Sequence, residues 1–69
     1  MPLTMARIGE EICIKRITGK DETRRFLERL GFVTGEVVTI VSIIGGSMIL
    51  SVKNARVALD EDMARRIMI

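Results

Sequence analysis

DETRRFLERLGFVTGEVVTI, residues 21–40, decides the fold, because it reads as a helix, a glycine stop, a tight turn and a strand in that order. Asp21 can accept a hydrogen bond from the first-turn amides, and with Glu22 it suits the positive end of the helix dipole. Thr23, Phe26, Leu27 and Leu30 fall at i, i+3, i+4 and i+7, one apolar stripe, while Arg24, Arg25, Glu28 and Arg29 fill the other face. Gly31 follows the last apolar position, where a left-handed residue ends a helix without steric cost and lets Phe32 fold back on the last turn. Thr34-Gly35 supplies a second reversal, and the β-branched run Val37 to Ile44 predicts a strand.

The rest of the chain pairs with this stretch. Met1 to Gly9, with Leu3, Met5 and Ile8, predicts a lead-in across one end of the core. Ile12 and Ile14 predict a first strand that reaches Ile17 only if a bulge near Lys15 to Ile17 repairs the broken alternation. Thr18-Gly19-Lys20 leads into the helix. Gly45-Gly46-Ser47 is a hairpin loop, after which Met48, Leu50 and Val52 alternate with Ile49, Ser51 and Lys53. Lys53-Asn54-Ala55 is another turn, since asparagine tolerates the left-handed region, and Arg56 to Leu59 is a fourth strand. Asp60 caps a short helical turn with Glu61 and Asp62 in its first positions, and Ile67 to Ile69 forms the last strand. Five short strands with one helix between the first and second predict a single mainly β domain over residues 1–69, a small barrel whose closure removes exposed edges.

Composition narrows the function classes. With 69 residues, 48% apolar content and 29% charge, the chain is one small globular domain and not a disordered segment. The start MPLTMARIGE lacks the long apolar segment of a signal peptide, and no apolar run approaches the roughly 18 residues that cross a bilayer. A cytoplasmic protein without membrane insertion is expected. Cys13 is the single cysteine and histidine is absent, so neither an internal disulfide, a serine triad nor a four-ligand zinc site is available. Cys13 reads as a structural thiol, Asp60-Glu61-Asp62 as helix capping, and the glycines follow no phosphate-loop spacing. No catalytic residue, metal ligand or cofactor is expected.

Two surfaces remain. Val37, Val41, Ile43 and Ile49 are expected to share the face opposite Val38, Ile40, Leu50 and Val52, leaving apolar surface outside. Because Ile43-Ile44 and Met48-Ile49 flank the glycine tip, one of each pair must point outward, so Ile43, Ile44, Met48 and Ile49 form the first candidate partner site. Arg24, Arg25 and Arg29 on the outer helix face form the second, although Asp21, Glu22 and Glu28 lie within pairing distance of them. The net charge of +2 is a weak attraction for polyanions, and both phenylalanines are expected in the core, so nucleic acid is not the expected partner.

The order Leu3, Gly9-Glu10, Ile12 to Ile17, Gly19, Arg25-Phe26-Leu27, Leu30-Gly31-Phe32 and Gly35 resembles the FeoA family of small bacterial proteins. Leu50-Ser51-Val52-Lys53, Val57-Ala58-Leu59, Ala64 and Ile67-Met68-Ile69 are similar to the family's closing pattern. Leu30 to Gly35 and the final Ala-x-x-Ile-x-Ile are the most specific parts, and Asn54 stands where the family often has glycine. The structural turns are then Gly31, Gly35 and Asn54. The resemblance implies an SH3-like β-barrel and a non-catalytic accessory role in ferrous iron uptake beside the membrane transporter FeoB, which carries a GTP-binding domain. The alternatives are a small nucleic-acid-binding barrel and a stand-alone relative of the C-terminal domain of metal-dependent repressors.

Overall fold

The computed structural model describes residues 1–19 and 21–69; Lys20, expected in the lead-in to the helix, lies outside the described residues. After a 3-10 turn at Leu3–Met5, the elements are β1 (Glu11–Cys13), β2 (Arg16–Ile17), α1 (Glu22–Leu30), β3 (Val37–Ile44), β4 (Ser47–Val52), β5 (Ala55–Asp60), α2 (Glu61–Ala64) and β6 (Ile67–Met68). A four-stranded antiparallel sheet runs β1-β3-β4-β5, and a two-stranded one pairs β2 with β6.

Local chemistry sets each boundary. Asp21 caps α1 by accepting from the Arg24 amide at 3.4 Å, and Gly31 stops it in the left-handed region at φ 107°. Across that stop the Phe32 amide donates to the Leu27 carbonyl at 3.0 Å, which turns Phe32 into the core behind Leu27. At the next turn the Glu36 amide donates to the Val33 carbonyl at 3.0 Å, with Gly35 at φ 90°. Gly35 also donates to the Ile14 carbonyl at 2.8 Å, fastening the turn to the first strand segment. Gly45-Gly46 and Lys53-Asn54 make two-residue hairpins with positive φ at both positions, the twist that matches paired strands. Asp60 caps α2 by accepting from the Met63 amide at 2.8 Å.

The core is wholly apolar. Leu3, Ile14, Leu27, Phe32, Val38, Ile40, Leu50, Val52, Leu59 and Ile67 are fully buried, and no polar or charged residue joins them among those described. Each such side chain contributes about 1.5–3 kcal/mol, the chief stabilising term in a chain with no disulfide. The two chain ends meet beside β6: the Ile69 amide donates to the Met1 carbonyl at 2.7 Å, and the Met1 ammonium to the Ile69 carbonyl at 3.3 Å.

The structure departs from the sequence reading in five places. The first strand is not repaired by a bulge. It divides at Ile14-Lys15 and changes sheets, with the Ile14 amide bonding to Glu36 and the Lys15 amide to Met68, so Ile12, Ile14 and Ile17 are all buried. A bulge falls in β3 instead: Ile40 pairs with Leu50 but Ser42 with Ile49, leaving Val41 as the extra residue. That moves Ile43 to the face of its partner Met48 and leaves Ile44 on the outer face, so the expected outward set of Val37, Val41, Ile43 and Ile49 is broken. Phe26 is 43% exposed, because α1 meets the core along Leu27 and leaves Phe26 on its flank. Cys13 is exposed on the outside of β1. Finally, among the described residues the two sheets share no hydrogen-bonded strand pair, so the barrel keeps open edges.

A β-carbon at Gly31 would find ordinary van der Waals contact with Lys53 and Val52 at 3.5 Å, so the constraint there is its φ and not space. Gly31→Val is expected to lower stability by about 2–3 kcal/mol. Gly46→Ala, at φ 86° in an exposed tip with nothing within 4 Å, is expected to cost about 1 kcal/mol. Urea midpoints of the two variants check the order.

Candidate protein-interaction surface

The tip of the β3–β4 hairpin carries two adjacent exposed aliphatic side chains. Ile43 and Ile44 are 50% and 66% exposed, next to the two glycines of the tip. As neighbours on one strand the two project from opposite faces of the hairpin, and the Val41 bulge decides that Ile43 takes the inner face and Ile44 the outer. Ile49 is half-buried on the outer face, and Met48 is 4% exposed, so Met48 supports the tip from below. On the inner side, Ile43, Gly46 and Met48 face Thr4 and Glu61 across a shallow hollow of about 230 Å³. Small-molecule clefts run from roughly 300 to 1,000 Å³ and enclose their ligand, which this hollow does not.

The basic helix face is more constrained. Arg24 is half-buried, donates through Nη1 to the Gly19 carbonyl at 3.1 Å, and lies 3.9 Å from the Glu28 carboxylate. Arg25 and Arg29 are exposed. Arg24 and Arg16 flank an open depression that also includes Ile17, Thr18 and Gly19. Nearby, Arg66 Nη1 donates to Asp21 Oδ1 at 2.8 Å, tying the start of α1 to the segment before β6. The sequence reading missed this pair, since the partners stand 45 residues apart. It also missed the shallow apolar depression where Phe26 meets Thr23, Glu22 and Met63 between the two helices. Helical periodicity locates a stripe but not which of its edges is left uncovered.

No three His, Cys, Asp or Glu side chains among the described residues gather closely enough to hold a metal ion. No described helix is long and apolar enough to cross a membrane.

Two short antiparallel sheets wrapped around one core, with a helix on the flank and apolar side chains at a hairpin tip, define a small SH3-like barrel domain. The FeoA domain matches residues 1–69, and the chain belongs to the FeoA family. A crystal structure of an iron uptake regulatory protein, FeoA, is 25% identical with a TM-score of 0.89, covering 99% of this chain and 92% of that one. Stenotrophomonas maltophilia FeoA complexed with zinc, described as an SH3 domain protein, is 28% identical with a TM-score of 0.85, covering 99% and 87%. A manganese-dependent transcriptional repressor shares the fold at 20% identity and a TM-score of 0.87, with 97% of this chain matching 39% of it. Among curated proteins, none matches the sequence.

Two outcomes are expected from this geometry. The hydrogen bond from Arg66 holds the Asp21 carboxyl below its ordinary value of 3.8, helped by the Arg24 amide and opposed by desolvation. A carboxylate lowered on folding stabilises above its unfolded value and loses that contribution as pH falls through the folded one. An NMR titration should therefore place Asp21 below 3.8 and move it upward in Arg66→Gln. Titration calorimetry with Fe²⁺, Zn²⁺ or Mn²⁺ on the isolated domain should show no site tighter than about 1 μM.

Proposed function

We propose that this protein is a small cytoplasmic accessory factor of bacterial ferrous iron uptake, and that it acts without catalysis by binding the cytoplasmic domain of a FeoB-type transporter. The FeoA match over residues 1–69 supports the iron-transport context. The observation that carries the mode of action is the hairpin tip, where Ile43 and Ile44 stand exposed on opposite faces beside two glycines. Glycines allow the tip to adjust to a partner, and apolar anchors of this size each contribute about 1–2 kcal/mol once a partner covers them. In this reading Ile43, Ile44 and Ile49 make the contact and Met48 holds the tip in place. Arg24, Arg25 and Arg29 would instead give a salt-sensitive association.

An amide-shift titration with the transporter's cytoplasmic domain separates the two. The largest shifts are expected at residues 43–49, and Ile44→Asp, an exposed substitution that keeps the fold, should weaken binding by about tenfold or more. Shifts confined to the outer face of α1, abolished by salt and indifferent to Ile44→Asp, would move the site to the arginines.

A further inference from the structure

The open edge of β5 has a pattern that fits a second copy of itself. Val52 and Ala55 flank the two-residue Lys53-Asn54 loop, and residues in that position exchange both backbone hydrogen bonds. By alternation Ala55, Val57 and Leu59 bond to β4, while the amides of Arg56, Ala58 and Asp60 and the carbonyls of Arg56 and Ala58 point away from the sheet. Among the described residues no other strand pairs with this edge. Arg56, Ala58 and Asp60 are also exposed and share the outer face.

We propose that β5 is a self-association surface, pairing antiparallel with β5 of a second copy in a register centred on Ala58. In that register Ala58 faces Ala58 of the second copy and the two exchange hydrogen bonds, while each Asp60 amide reaches the opposite Arg56 carbonyl. Arg56 of each copy then stands across from Asp60 of the other, two opposite-charge pairs on one face. Asp60 keeps its cap on α2 through one carboxylate oxygen, leaving the other for the guanidinium. Ile49, the β4 neighbour of Ala58, extends a short apolar strip on either side of the two-fold axis. Competing registers are worse. Centred on Arg56, the edge would oppose two guanidinium groups, and a register setting Arg56 against Ala58 pairs neither charge. Charged side chains ordinarily guard such an edge, but here the two are of opposite sign, four residues apart, and complement each other across the two-fold axis. Two short strands bury far less than the roughly 1,600 Å² of a standard stable complex, so the dimer is weak and reversible.

Amide spectra and sedimentation equilibrium of the full chain, from about 20 μM to about 1 mM, test the pairing. The expected result is a rise in average mass with concentration-dependent shifts largest at Arg56, Ala58 and Asp60. Arg56→Glu sets like charges across the pair and should weaken association by about tenfold or more, with an unchanged monomer spectrum. Ala58→Pro removes an outward donor without touching a β4 bond and should also abolish it. A mass and spectrum constant over the whole range would overturn the proposal. So would self-association undiminished by Arg56→Glu, shifts centred on Ile43 and Ile44, or β5 shifts that appear only when the transporter domain is added.

Discussion

The reversal at Gly31 is the constraint on which the rest of this barrel depends. One left-handed residue lets the Phe32 amide reach the Leu27 carbonyl, so two of the large buried side chains are placed by a single backbone contact. The chain then has only the Val33 to Glu36 turn before it enters β3, the strand that pairs with both β1 and β4. A shift at Gly31 would pass into the register of the whole larger sheet. With no disulfide and no buried polar residue among those described, the fold has little else to restore that register.

Features governed by neighbours in sequence were legible in advance: the Asp21 and Asp60 caps, the Gly31 stop, both glycine or asparagine hairpins, and the alternation of Met48, Leu50 and Val52. Each is decided within a few residues by hydrogen bonding or backbone sterics. What was not legible depends on where an element lands. Phe26 belongs to the apolar stripe of α1, yet only the docking angle decides that Leu27 enters the core and Phe26 does not. The break at Ile14 and the extra residue at Val41 leave no mark in composition, because valine and isoleucine suit a strand on either face. The hairpin tip was legible as a place where aliphatic side chains must be left outside. Which isoleucine turns inward over Met48, Ile43 and not Ile44, is set by the bulge and was not legible.

The bulge also explains why the hairpin has no single greasy face. By turning Ile43 inward toward Thr4 and Glu61 and Ile44 outward with Ile49, it spreads apolar surface around the tip. A partner of the kind proposed would grip such a tip from two sides, which suits a cleft better than a flat surface. The arginine-rich flank is different in kind: Arg24 is committed to the Gly19 carbonyl just ahead of α1, and Arg66 to Asp21, which ties the start of α1 to the segment before β6.

The meeting of Met1 and Ile69 bears on how a barrel of this kind can be combined with other domains. Chain ends that already hydrogen-bond to each other leave almost no gap for a linker to span, so joining them, or threading the unit into a surface loop of a larger protein, adds little closure entropy. Anything attached at either end would emerge from the same corner, beside β6. The fold is thus a portable module with a single point of attachment.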